Sequence, residues 1–478
     1  MEHIRYNLTV NAYKRERGDF MMGKRKASKL LFFVLLLVFT CIMAACSNSN
    51  QTSGEKNKDD DTNQSENTNI GTTDSGDSEE GEPEPVTLLM MTHWGDEQFE
   101  QNFKQHIEKE FPHITLEHVS SNWRDIEENV FAKNLEPDII MTSVTKHYLD
   151  MDLLADHTPL IEKHNFDLDR LDQSILTYLT DMSNEGELNG LPYIRPEYAL
   201  VYNPDIFDLF GVEYPTDGMT WDEVIELAKK VTGERNGVAY RGLHPGSHMF
   251  TQVPDSLLVD PETDEPIVNQ SEPFKIYLER LEEIYSIPGN EMLSADGSER
   301  GVDMMREGIL AMDAGRAYTG AYVAKSLETG LNFDFVSHPI WGGEYGDYHP
   351  NEPGNGLAIT TLSQHPDEAF QVVAYLLGDE HQAWQSAMGN LPAIVDQEVR
   401  DAYMKDNEHY DEVLKDKNLS AITNANPAPL PIKSEHDAEI MEGTNFREGL
   451  YNKIDVNTII REMQEKAEGN AKNYINKN

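Results

Sequence analysis

Residues 86–91 read VTLLMM, residues 114–119 read ITLEHV and residues 137–141 read PDIIM. Each run is short, apolar or alternating, and bounded by polar or turn-forming residues, which is typical of a β-strand. Between the first two runs, Phe99, Phe103 and Ile107 recur every four residues and predict a helix. A second helical stretch precedes the third run. Strand, helix, strand, helix and strand in this order predict an α/β fold with a parallel sheet, whose ligands bind at the carboxyl ends of the strands.

Further helices are predicted downstream of this unit. Thr220-Trp221-Asp222-Glu223 forms a capping box, which marks the start of a helix. Trp221 lies on the apolar stripe of that helix, so we assign it to the core. Another helix is predicted from Pro366 to near Gly378, and an amphipathic pattern that begins at Ile459 predicts a closing helix.

Charge and cysteine content exclude several classes of protein. The chain has 85 Asp and Glu residues against 39 Lys and Arg residues, a formal net charge of -46. Such a chain repels nucleic acids and anionic lipid surfaces, so neither is an expected partner. Cys41 and Cys46 are the only cysteines. Because both precede the predicted folded body, we expect neither a disulfide nor a thiolate metal site within it.

The N-terminal region predicts export. Basic residues at 24–29 precede a mostly apolar run at 30–43, which is the arrangement of a signal peptide. The run is shorter than the roughly 20 residues that a membrane-spanning helix needs; a short buried helix is the alternative interpretation. Met43-Ala44-Ala45-Cys46 resembles the bacterial lipobox. This resemblance implies that residues 21–45 are a lipoprotein signal peptide and that Cys46 is acylated.

Two further segments precede the predicted folded body. Residues 1–20 are not part of such a signal, and we interpret them as a misannotated upstream extension, with Met21 or Met22 as the translation start. Residues 47–85 contain a single apolar residue and cannot bury enough surface to offset the loss of chain entropy. Residues 46–85 are therefore predicted to be the lipidated cysteine followed by a disordered acidic linker.

A series of short motifs occupies the rest of the chain. They are PDII at 137–140, LLADHTPL at 153–160, LNGLPY at 188–193, ALVYNPDIF at 199–207, EGILAM at 307–312, HPIWGG at 338–343, GNGLAI at 354–359 and NLPA at 390–393. In this order they resemble the family 1 extracellular solute-binding proteins, whose best-known relatives bind maltodextrins and other oligosaccharides. The motifs at 188–207 are the most specific part of the resemblance.

The resemblance implies a type II, two-lobed periplasmic-binding-protein-like fold, in which each lobe is a sheet flanked by helices and hinge crossings join the lobes. It maps one lobe to residues 86–198 and 337–390, and the other to residues 199–336 and 391–478. The lobes would close around a sugar or oligosaccharide, and the permease subunits of an ABC transporter would recognise the closed form. The chain is thus expected to be a monomeric lipoprotein on the outer face of the cell membrane, without cofactor or enzymatic activity.

Sugar recognition needs aromatic rings for the sugar faces and short polar or charged side chains for the hydroxyl groups. The aromatic candidates, placed by the motifs of the resemblance, are Trp94, Tyr193, Tyr318 and Trp341. The polar candidates are Thr142, Arg195, Glu197 and Asn355, with Asp138 as a further possibility. Each candidate also has a structural interpretation: the aromatic residues as core, Arg195 and Glu197 as a clasp at a hinge crossing, and Asp138 as a cap.

One segment differs from the maltodextrin-binding relatives. They carry an aromatic residue and an Asp-Arg pair after the strand at 137, whereas this chain has TSVTK at 142–146. The difference argues against maltodextrin itself. It offers Ser143 and Thr145, together with Thr142, as hydroxyl partners for another sugar.

Two other functions stay open at this point. The same fold could bind a peptide, a polyamine or a metal chelate, although an anionic ligand would need a basic cluster and the predicted cleft offers only Arg195, Arg316 and Lys146. A lipid-anchored glycosidase would use two carboxylates, but 85 acidic residues make any such pair uninformative. The sequence contains no G-x-S-x-G, H-E-x-x-H or P-loop motif. The acidic segment at 260–265 is either a calcium site or a solvated loop.

Overall fold

The computed structural model describes residues 83–143, 145–183, 186–434 and 436–475. The predicted signal peptide, Cys46 and all but the last three residues of the predicted linker lie outside these ranges. Within them, none of the helices has the length and apolar character needed to span a bilayer.

Ten strands in the described residues form two five-stranded sheets. They are β1 Val86–Thr92, β2 Ile114–Ser120, β3 Ile139–Thr142, β4 Leu191–Ile194, β5 Leu200–Tyr202, β6 Gly233–Arg235, β7 Val238–His244, β8 Leu310–Asp313, β9 Asp334–Val336 and β10 Asn355–Ile359. The first sheet has the order β2-β1-β3-β10-β4 and the second has the order β6-β7-β8-β5-β9.

Strand direction is similar in the two sheets. In the first sheet, β1 is parallel to β2 and β3, as the sequence predicts, while β10 is antiparallel to both of its neighbours. In the second sheet, β7 is parallel to β8, and β5 is antiparallel to both of its neighbours. The antiparallel strands β10 and β5 therefore begin at the edge where their parallel neighbours end.

Helices flank both sheets. The α-helices are α1 Asp96–Phe99, α2 Gln105–Glu110, α3 Ile126–Asn129, α4 Thr145–Leu149, α5 Thr158–His164, α6 Gln173–Asp181, α7 Pro204–Phe210, α8 Trp221–Val231, α9 Glu272–Ser286, α10 Gly301–Arg306, α11 Thr319–Thr329, α12 Pro366–Leu376, α13 Asp379–Met388, α14 Gln397–Asp401, α15 Ser420–Thr423, α16 Asp437–Ile440, α17 Phe446–Tyr451 and α18 Val456–Ile475. Single turns of 3₁₀ or π helix lie at Glu100–Lys104, Phe131–Lys133, Leu168–Arg170, Phe250–Gln252, Gly343–Tyr345 and Tyr410–Leu414.

The central strands are apolar on both faces because helices cover both sides of each sheet. In β1, Leu88 and Met90 pack in one hydrophobic cluster, and Met91 packs in another on the opposite face. In β5, Leu200 and Val201 likewise face different clusters. Alternate residues of a strand point to opposite faces, so continuous apolar runs mark strands enclosed between two helical layers. The predicted α/β class is confirmed.

The helix predicted from the capping box begins as expected. The Thr220 side chain accepts a hydrogen bond from the backbone NH of Glu223 at 3.4 Å, and the Glu223 carboxylate accepts from the Thr220 NH at 2.8 Å. The first residue of α8, Trp221, is buried, and its indole NH donates to Gln252 at 2.9 Å. Its predicted place in the core is confirmed.

The chain crosses between the sheets more than once. It passes from β4 to β5 through residues 195–199 and from β9 to β10 through residues 337–354. Further on, Ile394 packs in a cluster of the first sheet, whereas Ile459 of α18 packs in a cluster of the second. Residues of the crossings at 195–199 and 337–354 line a cavity at the carboxyl ends of the parallel strands.

Candidate functional site

A cavity of about 980 Å³ lies between the carboxyl edges of the two sheets. His93 and Ser143 follow β1 and β3 of the first sheet, and Ser247 and Arg316 follow β7 and β8 of the second. These are the strand ends at which α/β sheets bind their ligands. The cavity volume is that of a site for a small organic molecule.

The strand ends of the first sheet contribute His93, Ser143 and Asn355 to the cavity, and we call these three residues the first wall. Tyr178 of α6 and Ile194 of β4 line the cavity on the same side. Asn355 begins β10, and its position depends on a close approach of two backbones. A β-carbon at Gly354 would lie 2.1 Å from the carbonyl oxygen of Ile194, and Gly354 has a φ of +67°. Only glycine fits there without displacing a strand. The first wall therefore presents short polar side chains on a rigid edge.

The crossing from β4 to β5 forms the base of the cavity. Arg195 lines the cavity and forms an ion pair with Asp172 at 2.8 Å, with side chains that are only 7% and 8% exposed. Glu197 accepts a hydrogen bond from the Thr319 hydroxyl at 3.1 Å. Burial raises the pKa of Glu197, and hydrogen bonds from Tyr403 and Thr319 oppose the increase. Both charged residues are thus tied to the protein as well as facing the cavity.

The second crossing contributes a charged cluster around Glu352. Arg316 donates to this carboxylate, and His248 Nδ1 lies 3.3 Å from it. Burial alone would raise the pKa of Glu352, but the hydrogen bond and charge of His248 and the charge of Arg316 lower it to about 2. The hydroxyl of Tyr198 lies 3.4 Å from His248. The cluster joins a loop after β8 to both crossings.

The second wall consists of Phe250, Tyr318, Phe446 and Arg447, which lie against the second sheet. Tyr318 is 46% exposed and adopts the left-handed region, with a φ of 45°, immediately before α11. A bulky residue in this region is strained, and such strain is concentrated at functional sites.

Buried rings support the second wall. Phe274 and Tyr277 of α9 pack against Phe250, with ring centroids 5.3 and 5.7 Å away. They also contact Phe446 of α17, at 6.0 and 5.6 Å. The second wall therefore presents aromatic faces on a rigid support, which suits the apolar face of a ligand ring.

The sequence of the chain also matches a known family. A model of the family described as bacterial extracellular solute-binding protein matches residues 95–383, more than half of the chain. The chain belongs to this family. No curated protein sequence matches this solute-binding protein.

Solved structures resemble the solute-binding protein along most of its length. The sugar-binding protein MalE from Xanthomonas citri has a TM-score of 0.63 and 17% identity, covering 81% of this chain and 98% of that chain. An ABC substrate-binding protein from Listeria monocytogenes in complex with cycloalternan has a TM-score of 0.59 and 19% identity, covering 80% and 98%. UgpB from Mycobacterium tuberculosis in complex with glycerophosphocholine has a TM-score of 0.56 and 16% identity, covering 82% and 100%. These similarities confirm the two-lobed periplasmic-binding-protein-like fold.

Four of the eight ligand-binding candidates from the sequence line the cavity of the solute-binding protein. They are Arg195, Glu197, Tyr318 and Asn355. Ser143, which the sequence offered as a hydroxyl partner, lines it as well. The structure thus brings residues from four separate segments to one cavity.

The remaining candidates on the first sheet contact neighbouring side chains of the protein. Tyr193 is fully buried, and its hydroxyl lies 3.0 Å from His381 and accepts a hydrogen bond from Gln385. Thr142 is buried, and its side chain is hydrogen bonded to Tyr148. The ring of Trp94 packs 5.5 Å from that of Phe103. None of these three side chains is among the residues that line the cavity.

Two further candidates have structural partners. The indole NH of Trp341 donates to the carbonyl oxygen of Met249 at 3.0 Å, and its ring packs against the core of the second sheet. Asp138 is buried and accepts hydrogen bonds from the NH of Leu89 at 2.8 Å and from the Ser363 hydroxyl at 2.6 Å. These contacts match the structural interpretation of both residues.

Sequence reasoning missed several residues of the second wall and its surroundings. Phe250, Phe446, Arg447 and Lys433 line the cavity, but none belongs to a motif of the family resemblance. The spacing of the aromatic residues in α9 indicates a buried helix face, yet nothing local indicates that Phe446 packs on it. Only the three-dimensional packing of segments that are distant in the sequence places these residues at the cavity.

A metal site is not evident in the part of the chain that the structure describes. Within it, no group of three or more His, Cys, Asp or Glu side chains is arranged to hold a metal ion. In the acidic segment, Asp260 accepts hydrogen bonds from the NH groups of Glu262 and Thr263, both at 2.9 Å. This carboxylate stabilises its own loop.

Proposed function

We propose that this chain is the extracytoplasmic binding component of an ABC importer and that it captures a carbohydrate, specifically an oligosaccharide. The observation that carries the proposal is the cavity at the carboxyl edges of both sheets, which is lined by an exposed aromatic ring, Tyr318, and by the short polar side chains of the first wall. Aromatic faces stack on sugar rings, and short polar groups bond to sugar hydroxyls. The names of the MalE and cycloalternan-bound structures support the same ligand class.

In this proposal the lobes comprise residues 86–198 with 337–390 and residues 199–336 with 391–478, except that the side chains of Trp341 and Ile394 pack in the core of the other lobe. They close around the sugar by a hinge motion at the crossings, and the permease recognises the closed form. The lipidated Cys46 holds the protein at the outer face of the membrane. Replacement of Cys46 by alanine is expected to release the protein from the membrane fraction of an expressing bacterium, which fractionation and mass spectrometry of the N-terminus will show.

A saccharide panel tests the ligand class. Residues 82–478 are expected to show a higher melting temperature with one or more oligosaccharides, and no release of reducing ends. If a polyamine or a peptide raises the melting temperature and no saccharide does, the sugar assignment is wrong. If reducing ends accumulate, the chain is a glycosidase rather than a binding protein.

A further inference from the structure

A second, smaller cavity of about 210 Å³ lies beside the main one. Ser247, Arg316, Tyr318 and Arg447 line both cavities. We call this smaller cavity the side pocket. Arg300, His244 and His248 line it as well. This concentration of basic groups is unusual in a chain with more than twice as many acidic as basic residues. A ligand ring on Tyr318 would therefore have three guanidinium groups next to it, in a pocket that Asp313 and Glu299 also line.

The second wall also carries a cation, Arg447. Its guanidinium lies 5.0 Å from the ring centroid of Phe446. The aliphatic part of the Arg447 side chain passes close to Gly297. A β-carbon at position 297 would lie 2.6 Å from Cδ of Arg447, so only glycine leaves room for the arginine side chain there. Within the described residues, no carboxylate lies within 4 Å of the Arg447 guanidinium or of the Lys433 ammonium.

The carboxylates around the side pocket already have partners. Asp313 lies 3.0 Å from His244 Nδ1 and accepts from the Tyr322 hydroxyl at 3.0 Å. Glu299 accepts from the NH groups of Leu293 and Ser294, both at 2.8 Å. These contacts direct both carboxylates towards their own loops, and neither lies within 4 Å of the Arg447 guanidinium.

The acidic residues that line the main cavity are Glu197, Glu352 and Asp437, and its Lys and Arg residues are Arg195, Arg316, Lys433 and Arg447. Glu352 is bound by Arg316 and His248. Burial raises the pKa of Glu197 and also that of Asp437, which the charge of Lys433 opposes. Lys433 thus already interacts with Asp437, whereas Arg447 forms no ion pair within the described residues and is left to receive negative charge from a ligand.

We propose that the cleft binds a carbohydrate that contains a uronic acid and that Arg447, between the two cavities, receives its carboxylate. The proposal rests on the sugar-binding function proposed above. A planar carboxylate matches the two-pronged NH geometry of a guanidinium, and such charge-assisted pairs are stronger than bonds to neutral hydroxyls. Lys433 adds a second positive charge to the same cavity.

The experiment compares each acid with a neutral copy of itself. The full-length protein in detergent micelles is titrated calorimetrically with trigalacturonate, a glucuronate-bearing xylo-oligosaccharide and trimannuronate, each beside its methyl ester. At least one acid is expected to bind about tenfold more tightly than its ester, a preference of roughly 1.4 kcal/mol. Sulfated and phosphorylated oligosaccharides are titrated in the same way, and their affinities are compared with those of the uronates.

Variants locate the preference. Arg447→Met keeps a stem that packs on Phe446 and is expected to reduce the ratio of acid affinity to ester affinity at least tenfold. Lys433→Met is the second variant, with a smaller loss. Arg461→Met is the matched control, because Arg461 is 62% exposed in α18 and its guanidinium is 3.9 Å from Glu465; it is expected to change neither affinity. A thermal melt of each variant verifies folding.

Each outcome decides for or against the proposal. Equal affinity for acids and esters, or an acid preference that survives in both variants, overturns it. If a sulfated or phosphorylated sugar binds more tightly than every uronate, the site recognises that anionic group and not a carboxylate, and the uronate assignment is wrong. If neutral oligosaccharides bind and no uronate does, the uronate inference fails while the sugar-binding function stands. If no saccharide of any kind binds, the proposed function itself fails.

Discussion

The two walls of the cavity are built differently. The first wall, His93, Ser143 and Asn355, lies directly at strand ends of one sheet and presents short polar groups. The second wall combines residues from a 3₁₀ turn, a strained turn before α11 and the short helix α17, and it presents rings and a cation. The polar edge suits hydroxyl groups, and the aromatic and basic face suits a ring and an acid group. We infer that ligand specificity is determined mainly by the second wall.

The largest expected effect concerns the charged base that joins the walls. Asp172→Asn keeps a cap for α6 but leaves the guanidinium of Arg195 buried without its counter-charge. The free energy of unfolding is expected to fall by about 3 kcal/mol or more, measured by chemical denaturation. Adding Arg195→Met is expected to recover at least half of the loss, since neither charge then remains unpaired.

This pair also separates a structural from a binding role for Arg195. If the double variant binds the ligand within threefold of the unchanged protein, Arg195 acts as a structural clasp. If Asp172→Asn changes the free energy of unfolding by less than about 1 kcal/mol, the ion pair does not stabilise the base as described.

The Glu352 cluster between the walls predicts a pH dependence. The folded pKa of Glu352 is about 2, below its ordinary value of 4.5. Its contribution to stability is therefore complete above pH 4.5 and is lost as the pH falls from 4.5 through 2. Between pH 5 and pH 3, the free energy of unfolding is expected to fall by about 2 kcal/mol less in Glu352→Gln than in the unchanged protein, measured by thermal melts at the two pH values. Glu213→Gln, an exposed control, is expected to keep the full loss; an unchanged pH profile in Glu352→Gln contradicts the prediction.

Tyr318 tests the aromatic part of the second wall. Asparagine tolerates the left-handed backbone better than tyrosine, so Tyr318→Asn removes the ring without adding strain. Ligand affinity is expected to fall about tenfold by calorimetry, while the melting temperature stays equal or rises. Tyr451→Asn, at the exposed end of α17, is the control. Unchanged affinity in Tyr318→Asn would exclude the ring from the site.

The smallest expected effect is at Trp341. Trp341→Phe removes the hydrogen bond to the carbonyl oxygen of Met249 and is expected to lower the free energy of unfolding by about 1 kcal/mol. Ligand affinity is expected to stay within twofold. A tenfold loss of affinity with normal stability would instead make Trp341 part of the second wall.

Much of the fold and part of the first wall were predictable from local patterns. The apolar runs of β1, β2 and β3 and the capping box at Thr220 each specify an element through contacts close in the sequence. A cleft at strand ends follows from the α/β topology, and Ser143 lies there for that reason.

The rest depends on contacts between distant segments. In β4, Tyr193 and Ile194 point to opposite faces, and the strand pattern does not specify which one meets the cavity. Tyr193 faces the core because His381 and Gln385, almost 200 residues away, bond to its hydroxyl. Phe446 meets Phe274 across a similar separation. No local signal in the sequence predicts either contact.

The central claim is that a ligand binds between two lobes and draws them together. Residues 82–478 contain no cysteine, so Lys109→Cys beside the first sheet and Lys230→Cys beside the second can carry a pair of spin labels. Pulsed electron paramagnetic resonance is expected to show a shorter and narrower distance distribution on addition of the saccharide that raises the melting temperature, and no change in the Tyr318→Asn variant. An unchanged distribution under saturating ligand would contradict the account.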